Sequence, residues 1–244
     1  MGAFTLERSK TLAGGRYGVA ENWEIIKEKI AIFSQQAGRN PEDIKVVAVT
    51  KGVEVRRIEE AISLGLVFLG ENRVQEALKK MPLLPRQVEW HFLGRLQRNK
   101  VKKVIEFFQY LHSLDNLSIG EELEKRARDR NKKFPVLIQV NLTGRGTQGG
   151  VKEEELLPLV QNIAQFSHLE LKGLMTIGPI GGKEQETRRV FSRLRELKEE
   201  INRKIPQVDL QELSMGMSDD FPWAVLEGAT ILRLGRAIFG ERGK

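Results

Sequence analysis

The 244-residue sequence predicts an α/β chain folded as a single-domain TIM-type (β/α)8 barrel with an extra N-terminal helix. Three observations predict it. Short apolar runs alternate with longer amphipathic ones, which is the pattern of repeated βα units. Eight such short runs can be counted, with no linker-like stretch between them. The length also matches the roughly 250 residues that such barrels use in one domain. An open doubly wound sheet is the alternative that the same pattern allows.

In chain order, Met1–Ala20 carries Arg8, Lys10 and Arg16 but no continuous apolar segment, so residues 1–20 read as a loose tail and 21–244 as the barrel. Trp23, Ile26, Ile30 and Phe33 form an apolar stripe that predicts a helix over Asn22–Ala37, and Gly38 suits the position after its end. Strands are expected at Lys45–Thr50, Leu66–Leu69, Val88–Leu93, Gln109–His112, Val136–Leu142, Glu170–Thr176, Asp209–Leu213 and Thr230–Leu234. Helical patterns follow seven of them, at Val55–Leu64, Val74–Lys80, Asn99–Phe107, Leu117–Asn131, Glu153–Phe166, Glu184–Lys204 and Asp219–Glu227. Pro158 fits only an early turn of its helix. A short helix or tail closes the chain after the eighth strand.

Composition narrows the function. Apolar residues make up 40% and charged residues 30% of the chain, enough for a sizeable core in a soluble protein. Cysteine is absent, so a disulfide framework, a thiolate metal site and a thiol nucleophile are excluded, and a reducing cytoplasm fits. No stretch has the length of a membrane span, and export is not expected. The net charge of +7 raises nucleic-acid binding, but the distribution argues against it. The basic stretch Arg95–Lys103 runs into Val101, Val104, Ile105 and Phe108 at helical spacing, as one solvated helix face would. Arg188–Lys204 interleaves Glu196, Glu199 and Glu200 with its bases, the pattern of an exposed salt-bridged helix.

A barrel gathers binding groups where its strands finish, with phosphate at the loops after strands seven and eight. After strand one stands Lys51, which alternation places on one face with Val47 and Val49. After strand two comes Gly70-Glu71-Asn72, and after strand five Asn141. After strand seven comes Ser214-Met215-Gly216-Met217-Ser218, and after strand eight Arg233-Leu234-Gly235-Arg236. These last two turns offer backbone N–H groups and hydroxyls at the phosphate corner. Arg233 shares the inward face with Ile231 and Gly235. Taken alone, Lys51 also reads as a lysine reaching for water, and Arg233 as a structural partner for a carboxylate such as Glu71. Together, an inward amine, an inward guanidinium and a phosphate corner describe a cradle for a small phosphorylated aldehyde, and pyridoxal 5′-phosphate (PLP) fits all three.

Seven motifs sharpen that picture: VAVTK at Val47–Lys51, GENRVQE at Gly70–Glu76, WHFLGRLQRNK at Trp90–Lys100, HSLDN at His112–Asn116, GLMTIGP at Gly173–Pro179, LSMGMSDD at Leu213–Asp220 and RLGRAIFGER at Arg233–Arg242. On these, from about Asn22 to Arg242, the chain resembles the pyridoxal phosphate homeostasis protein family, single-domain relatives of the N-terminal barrel of alanine racemase. The resemblance implies a PLP Schiff base on Lys51, a phosphate held by Ser214, Ser218 and the backbone at Gly235 and Arg236, Arg233 facing the pyridine nitrogen, and Asn72 lining the ring pocket. One segment departs from the family pattern. After Asn141 the loop reads LTGRGTQGGV, with Arg145 where an acidic residue is common and Gly149-Gly150 near the usual Lys-Xaa-Gly, which puts the contacts of Arg145–Gly150 in doubt.

The resemblance also bears on catalysis. Alanine racemase sets a lysine against a tyrosine supplied by a second domain, and such a domain is not expected after Lys244. Of two tyrosines, Tyr17 falls in the tail, and Tyr110 starts strand four at the opposite end of the barrel. His91 reads as barrel packing, His112 as a satisfied polar residue, and His168 carries no signal. The expectation is therefore a non-enzymatic carrier that binds, buffers and delivers PLP, influencing amino-acid and keto-acid balance, with PLP-dependent client enzymes as candidate partners. A weak or substrate-restricted PLP-dependent racemase is the first alternative, and a cofactor-free Schiff-base aldolase barrel the second.

Overall fold

A computed structural model describes residues 17–241. Strands β1 (Lys45–Val49), β2 (Phe68–Glu71), β3 (Glu89–Phe92), β4 (Tyr110–Leu114), β5 (Phe134–Gln139), β6 (Leu169–Met175), β7 (Glu212–Ser214) and β8 (Ile231–Leu234) pair in parallel and close in chain order. Around them lie α2 (Val55–Ser63), α3 (Val74–Lys80), α4 (Val101–Phe107), α5 (Leu117–Arg128), α6 (Glu153–Ile163), α7 (Glu184–Lys204), α8 (Phe221–Leu226) and α9 (Arg236–Phe239), with α1 (Val19–Gln36) before β1. The doubly wound alternative is excluded by closure.

Strand alternation divides the core in two. Inward residues Val47, Tyr110, Leu137, Met175 and Ile231 fill the barrel, with Phe68, Leu93 and Ile177 packed against them. Outward residues such as Val46, Ala48, Leu69, Trp90, Phe92, Leu213, Leu232 and Leu234 meet the helices in a second, larger apolar layer. Burial on both faces is why these strands read as near-continuous apolar runs. Helix α1 is tied on by Asn22, whose Nδ2 donates to the Ile238 carbonyl at 2.9 Å. After α1, the Arg39 guanidinium donates to the Ala229 carbonyl at 2.8 Å and the Val225 carbonyl at 3.3 Å, tying this turn to the end of α8 and the segment after it.

Every expected strand is present, with shifted ends that have local causes. Strand two begins at Phe68 because Gly65, at φ +91°, makes a turn whose carbonyl accepts the Val67 N–H. Strand seven shortens to Glu212–Ser214 because Asn202 takes both backbone groups of Leu210. Strand four runs on to Leu114, so His112 lies at its middle rather than its end. Strand five stops at Gln139, and Val140 makes only an isolated bridge to Val151. Pro158 is the sixth residue of α6, in its second turn. The expected tail boundary at residue 20 falls inside α1, which starts at the fully buried Val19; residues 1–16 lie outside the described residues. Basic stretch 95–103 is the solvated side of α4 and the turn before it: Val101, Val104 and Ile105 are buried, while Arg95 and Arg98 face Asp115 and Glu122. No described helix is long and apolar enough to cross a membrane.

Closure between β6 and β7 requires a glycine. Gly173 pairs with Glu212, and a Cβ built on Gly173 would stand 1.9 Å from the Glu212 carbonyl oxygen. Gly173→Ala is therefore expected to lower the unfolding free energy by about 1–3 kcal/mol or more. Urea unfolding checks this as a lower midpoint at unchanged slope, and an unchanged midpoint would contradict the tight approach.

Candidate functional site

At the strand C-terminal end of the barrel a cavity of about 600 Å³ opens, within the range typical of small-molecule sites. Its wall is assembled from six places. Val49 comes from β1, Asn72 from the β2–α3 turn, Leu93 from just after β3, and Ile177 with Pro179–Gly182 from the β6–α7 loop. Met217–Asp220 comes from the β7–α8 loop, and Arg233, Gly235 and Arg236 come from β8 and its turn. Its lining mixes apolar side chains with hydroxyl, carboxyl, guanidinium and backbone groups.

Gly94 fixes the Asn72 turn. A Cβ there would lie 2.2 Å from the Asn72 carbonyl oxygen, so the loop after β3 can press on the β2–α3 turn only at a glycine. Across the cavity, the Ala237 N–H donates to Ser218 Oγ at 3.0 Å. That bond occupies an acceptor site and leaves the Ser218 hydroxyl proton free to donate into the cavity. Asp220 accepts the Met217 N–H at 2.5 Å and so shapes the same loop. The Arg236 guanidinium is held by Asp219 and Glu241 at the rim.

Arg233 is the cavity's buried charge, 5% exposed. Its Nη1 donates to Ser214 Oγ at 2.7 Å and its Nη2 to the Thr176 carbonyl at 2.9 Å. Burial pushes the guanidinium down to about 10, with Asp220 acting against that shift, so it remains charged at neutral pH. Burial in turn raises the Asp220 carboxyl, although the Met217 N–H and Arg233 oppose the rise.

Beneath Arg233 a polar column descends the barrel. Ser214 Oγ lies 2.9 Å from His112 Nδ1, His112 Nε2 lies 2.8 Å from His91 Nδ1, and His91 Nε2 faces Glu89 Oε1 at 3.2 Å. For neutral rings the direction of this chain follows from its lower end, because the Glu89 carboxylate can only accept and so draws the His91 proton to Nε2. His91 Nδ1 then accepts from His112 Nε2, and His112 Nδ1 accepts the proton of Ser214, which itself accepts from Arg233. Tyr110 stacks on His91 with ring centroids 5.0 Å apart, and its hydroxyl donates to Glu212 at the far end of the barrel.

The expected site residues are not all gathered on one wall. The cavity brings together Asn72, Ser218, Arg233, Gly235 and Arg236. Ser214 is fully buried one level below, its hydroxyl engaged by Arg233 and His112. Lys51 stands half-buried on the turn after β1, one step beyond the cavity-lining Val49 on the same strand face. Glu71 is not the partner of Arg233. Phe68 and Gly70 point into the barrel, so Glu71 points outward, where its Oε1 accepts from Lys80 Nζ and Thr50 Oγ1, each at 2.7 Å. Asn141 does not line the cavity; its side chain accepts and donates within the 141–148 loop, and Gly150 closes that loop at φ +116°. Sequence reasoning missed Thr176 and Asp220 as supports of Arg233, and the inward placement of His112. Alternation from Tyr110 would have found the histidine, but nothing local marks the other two.

Known proteins match this arrangement along most of its length. The model of the alanine racemase N-terminal domain matches residues 22–243. The pyridoxal phosphate homeostasis protein of Aquifex aeolicus is 43% identical over 223 residues, covering 91% of this chain and 97% of that protein. The chain belongs to the pyridoxal phosphate homeostasis protein family. Its Escherichia coli K12 member is 36% identical over 231 residues, covering 92% of this chain and 97% of that one. Among solved structures, PipY of Synechococcus elongatus PCC7942 superposes at TM-score 0.80 without PLP and 0.79 with PLP bound, at 36% identity and covering 88% of this chain and all of PipY. Alanine racemase of Clostridium difficile 630 shares the fold, with TM-score 0.72 at 13% identity; this chain covers 57% of it. The names of the close relatives describe homeostasis rather than a catalysed reaction.

The column makes a testable statement about protons. Burial holds both His91 and His112 below the ordinary value of 6.5; Glu89 opposes the shift at His91, and the charges of His91 and Arg233 add to it at His112. A depressed histidine means that the unfolded chain takes up a proton first, so this contribution is present above pH 6.5 and is lost as pH falls below it, by at most about 1.4 kcal/mol per pH unit for each ring. Nitrogen-15 NMR at about pH 7.5, above the ordinary histidine value, should show both rings neutral with the proton on Nε2. A protonated ring, or an Nδ1–H tautomer at His112, would contradict the chain's direction.

Proposed function

We propose that this protein binds PLP at the cavity, covalently through Lys51, and serves as an intracellular PLP carrier that binds, buffers and delivers the cofactor. The observation that carries this reading is the lining of the cavity, which combines a buried Arg233, the polar groups of Ser218, Gly235 and Arg236, and the apolar Val49, Leu93, Met175 and Ile177. A phosphate, a flat ring and a ring nitrogen need those three kinds of surface. The relative PipY, solved with PLP bound, supports the choice of ligand.

In this reading the Lys51 amine condenses with the aldehyde of PLP, forming a C=N bond and releasing water. Ser218 donates its hydroxyl proton to the phosphate, and the backbone of Gly235 and Arg236 completes that corner. Arg233 faces the pyridine nitrogen, and Asn72 borders the ring. Ser214 acts one step removed, by holding the Arg233 guanidinium in place. When bound, PLP supplies an electron sink, and a charged donor-only guanidinium at its ring nitrogen disfavours protonation there and weakens that sink.

A carrier also follows from what faces the cavity. Racemisation needs an acid–base group on each side of the substrate carbon, and such a group is worth about a hundredfold or more. Tyr110 is spent on Glu212 at the opposite end, and His91 and His112 lie below the cavity, bonded to each other. We place the function in the cytoplasm, with apo forms of PLP-dependent enzymes as recipients.

The visible absorption of the purified protein with added PLP, before and after borohydride, tests the reading. Wild type should show a Schiff-base band that borohydride converts to a stable reduced adduct, and Lys51→Ala should lose both. Ser218→Ala should weaken binding about ten- to a hundredfold, the worth of one hydrogen bond to a charged group. Absence of the band in wild type, or brisk conversion of an L-amino acid to its D form, would contradict the proposal.

A further inference from the structure

Lys51 sits on a turn, and a reactive amine on a turn is useful only if the turn is held. Its neighbours on both sides are held by one buried cluster on α3 and β2. On the N-terminal side, the Thr50 carbonyl accepts from Lys80 Nζ at 2.6 Å, and the Thr50 hydroxyl donates to Glu71 Oε1 at 2.7 Å. On the C-terminal side, the Gly52 N–H donates to Glu76 Oε1 at 2.6 Å. Lys80 joins the two halves, donating to Glu71 Oε1 and Glu76 Oε1, each at 2.7 Å. All three protons of its ammonium are then committed, and the residue is 8% exposed. Gly52 itself is in the left-handed region, φ +69°, so the turn is one that few residues would adopt unaided.

From this geometry we infer that Glu76 and Lys80, supported by Glu71, are positioning residues for Lys51. They touch no part of the cavity. They act by fixing the backbone that carries the lysine, so that its amine is presented to the cavity instead of sampling the surface. The inference rests on the proposed role of Lys51 as the PLP anchor. It also assigns a role to the two glutamates of the GENRVQE motif, which the cavity leaves unused. Lys80 is excluded as a rival anchor, because its amine would have to leave three partners and a buried carboxylate.

The cluster is unequal, and that decides which variant to make. Glu71 is fully buried, and its Oε2 has no partner. Burial raises its carboxyl above the ordinary 4.5 in spite of Lys80 and Thr50. Removing Lys80 would strand that carboxylate and put folding at risk. Glu76 is part-exposed; burial acts to raise its carboxyl, but the Gly52 N–H and Lys80 outweigh it and hold the group below 4.5. Glu76→Ala removes the C-terminal half of the clamp while leaving Lys80 on Glu71 and Thr50. Glu76→Gln keeps a carbonyl acceptor for Gly52.

The test uses the full chain and PLP itself. Stopped-flow absorbance measures the rate of adduct formation, and hydrogen exchange measures Gly52 amide protection in the free protein. Glu76→Ala is expected to form the adduct about tenfold or more slowly and to lose Gly52 protection, with an unfolding midpoint close to wild type. Glu76→Gln should recover most of both. A Glu76→Ala protein that matches wild type in rate and in Gly52 protection would overturn the inference while leaving the anchor intact. A wild-type protein that forms no adduct at Lys51 would instead overturn the PLP reading, and the positioning role would fall with it.

Discussion

Burying one guanidinium inside a closed barrel is the constraint that organises this molecule. Arg233 stands on the inward face of β8, level with Val47 in the strand pairing, where ordinary packing would want an aliphatic side chain. A charge at that depth must find partners or it costs several kcal/mol. The fold supplies them from three directions: the Ser214 hydroxyl from β7, the Thr176 carbonyl from the end of β6, and Asp220 from the β7–α8 loop. Ser214 is thereby engaged, at the head of two histidines that reach down to Glu89. What the partners leave uncovered is the cavity face.

A second polar cluster lies outside the sheet. Lys80, Glu71, Glu76 and Thr50 sit between β1, β2 and α3, separated from the Arg233 column by the strand wall itself. The period of two along each strand makes this separation possible: adjacent residues of β2 serve different compartments, Gly70 meeting Val47 inside and Glu71 meeting Lys80 outside. The inner column governs the floor of the cavity and the outer cluster governs the turn that bears Lys51. Two small networks, each nearly satisfied, hold the two opposed groups that the proposed ligand requires.

Much of this was legible in the residues. Eight apolar runs, their number and their spacing specify the barrel, and alternation alone places Val47, Ile231 and Arg233 inside. Glycine-containing turns after the last two strands point to one end of the barrel, where Ser218, Gly235 and Arg236 do line one cavity. The misreadings came where a strand was ended two residues early. With strand two ending at Leu69, Glu71 looked like loop and free to seek Arg233; with the strand at Phe68–Glu71 it can only face outward. With strand four ending at His112, that histidine looked terminal, whereas it lies at the centre of β4. Asp220, Thr176 and Lys80 were not legible, because each acts through a tertiary approach that no local pattern encodes.

The central claim is that one lysine of many is the anchor. Peptide mapping of the borohydride-reduced PLP adduct tests it most directly, since the chain carries numerous exposed lysines that can react without selectivity. The account predicts, at one equivalent of PLP, a single modified peptide that contains Lys51, and none that contains Lys80. Modification spread over surface lysines, or centred on any lysine other than Lys51, would contradict it.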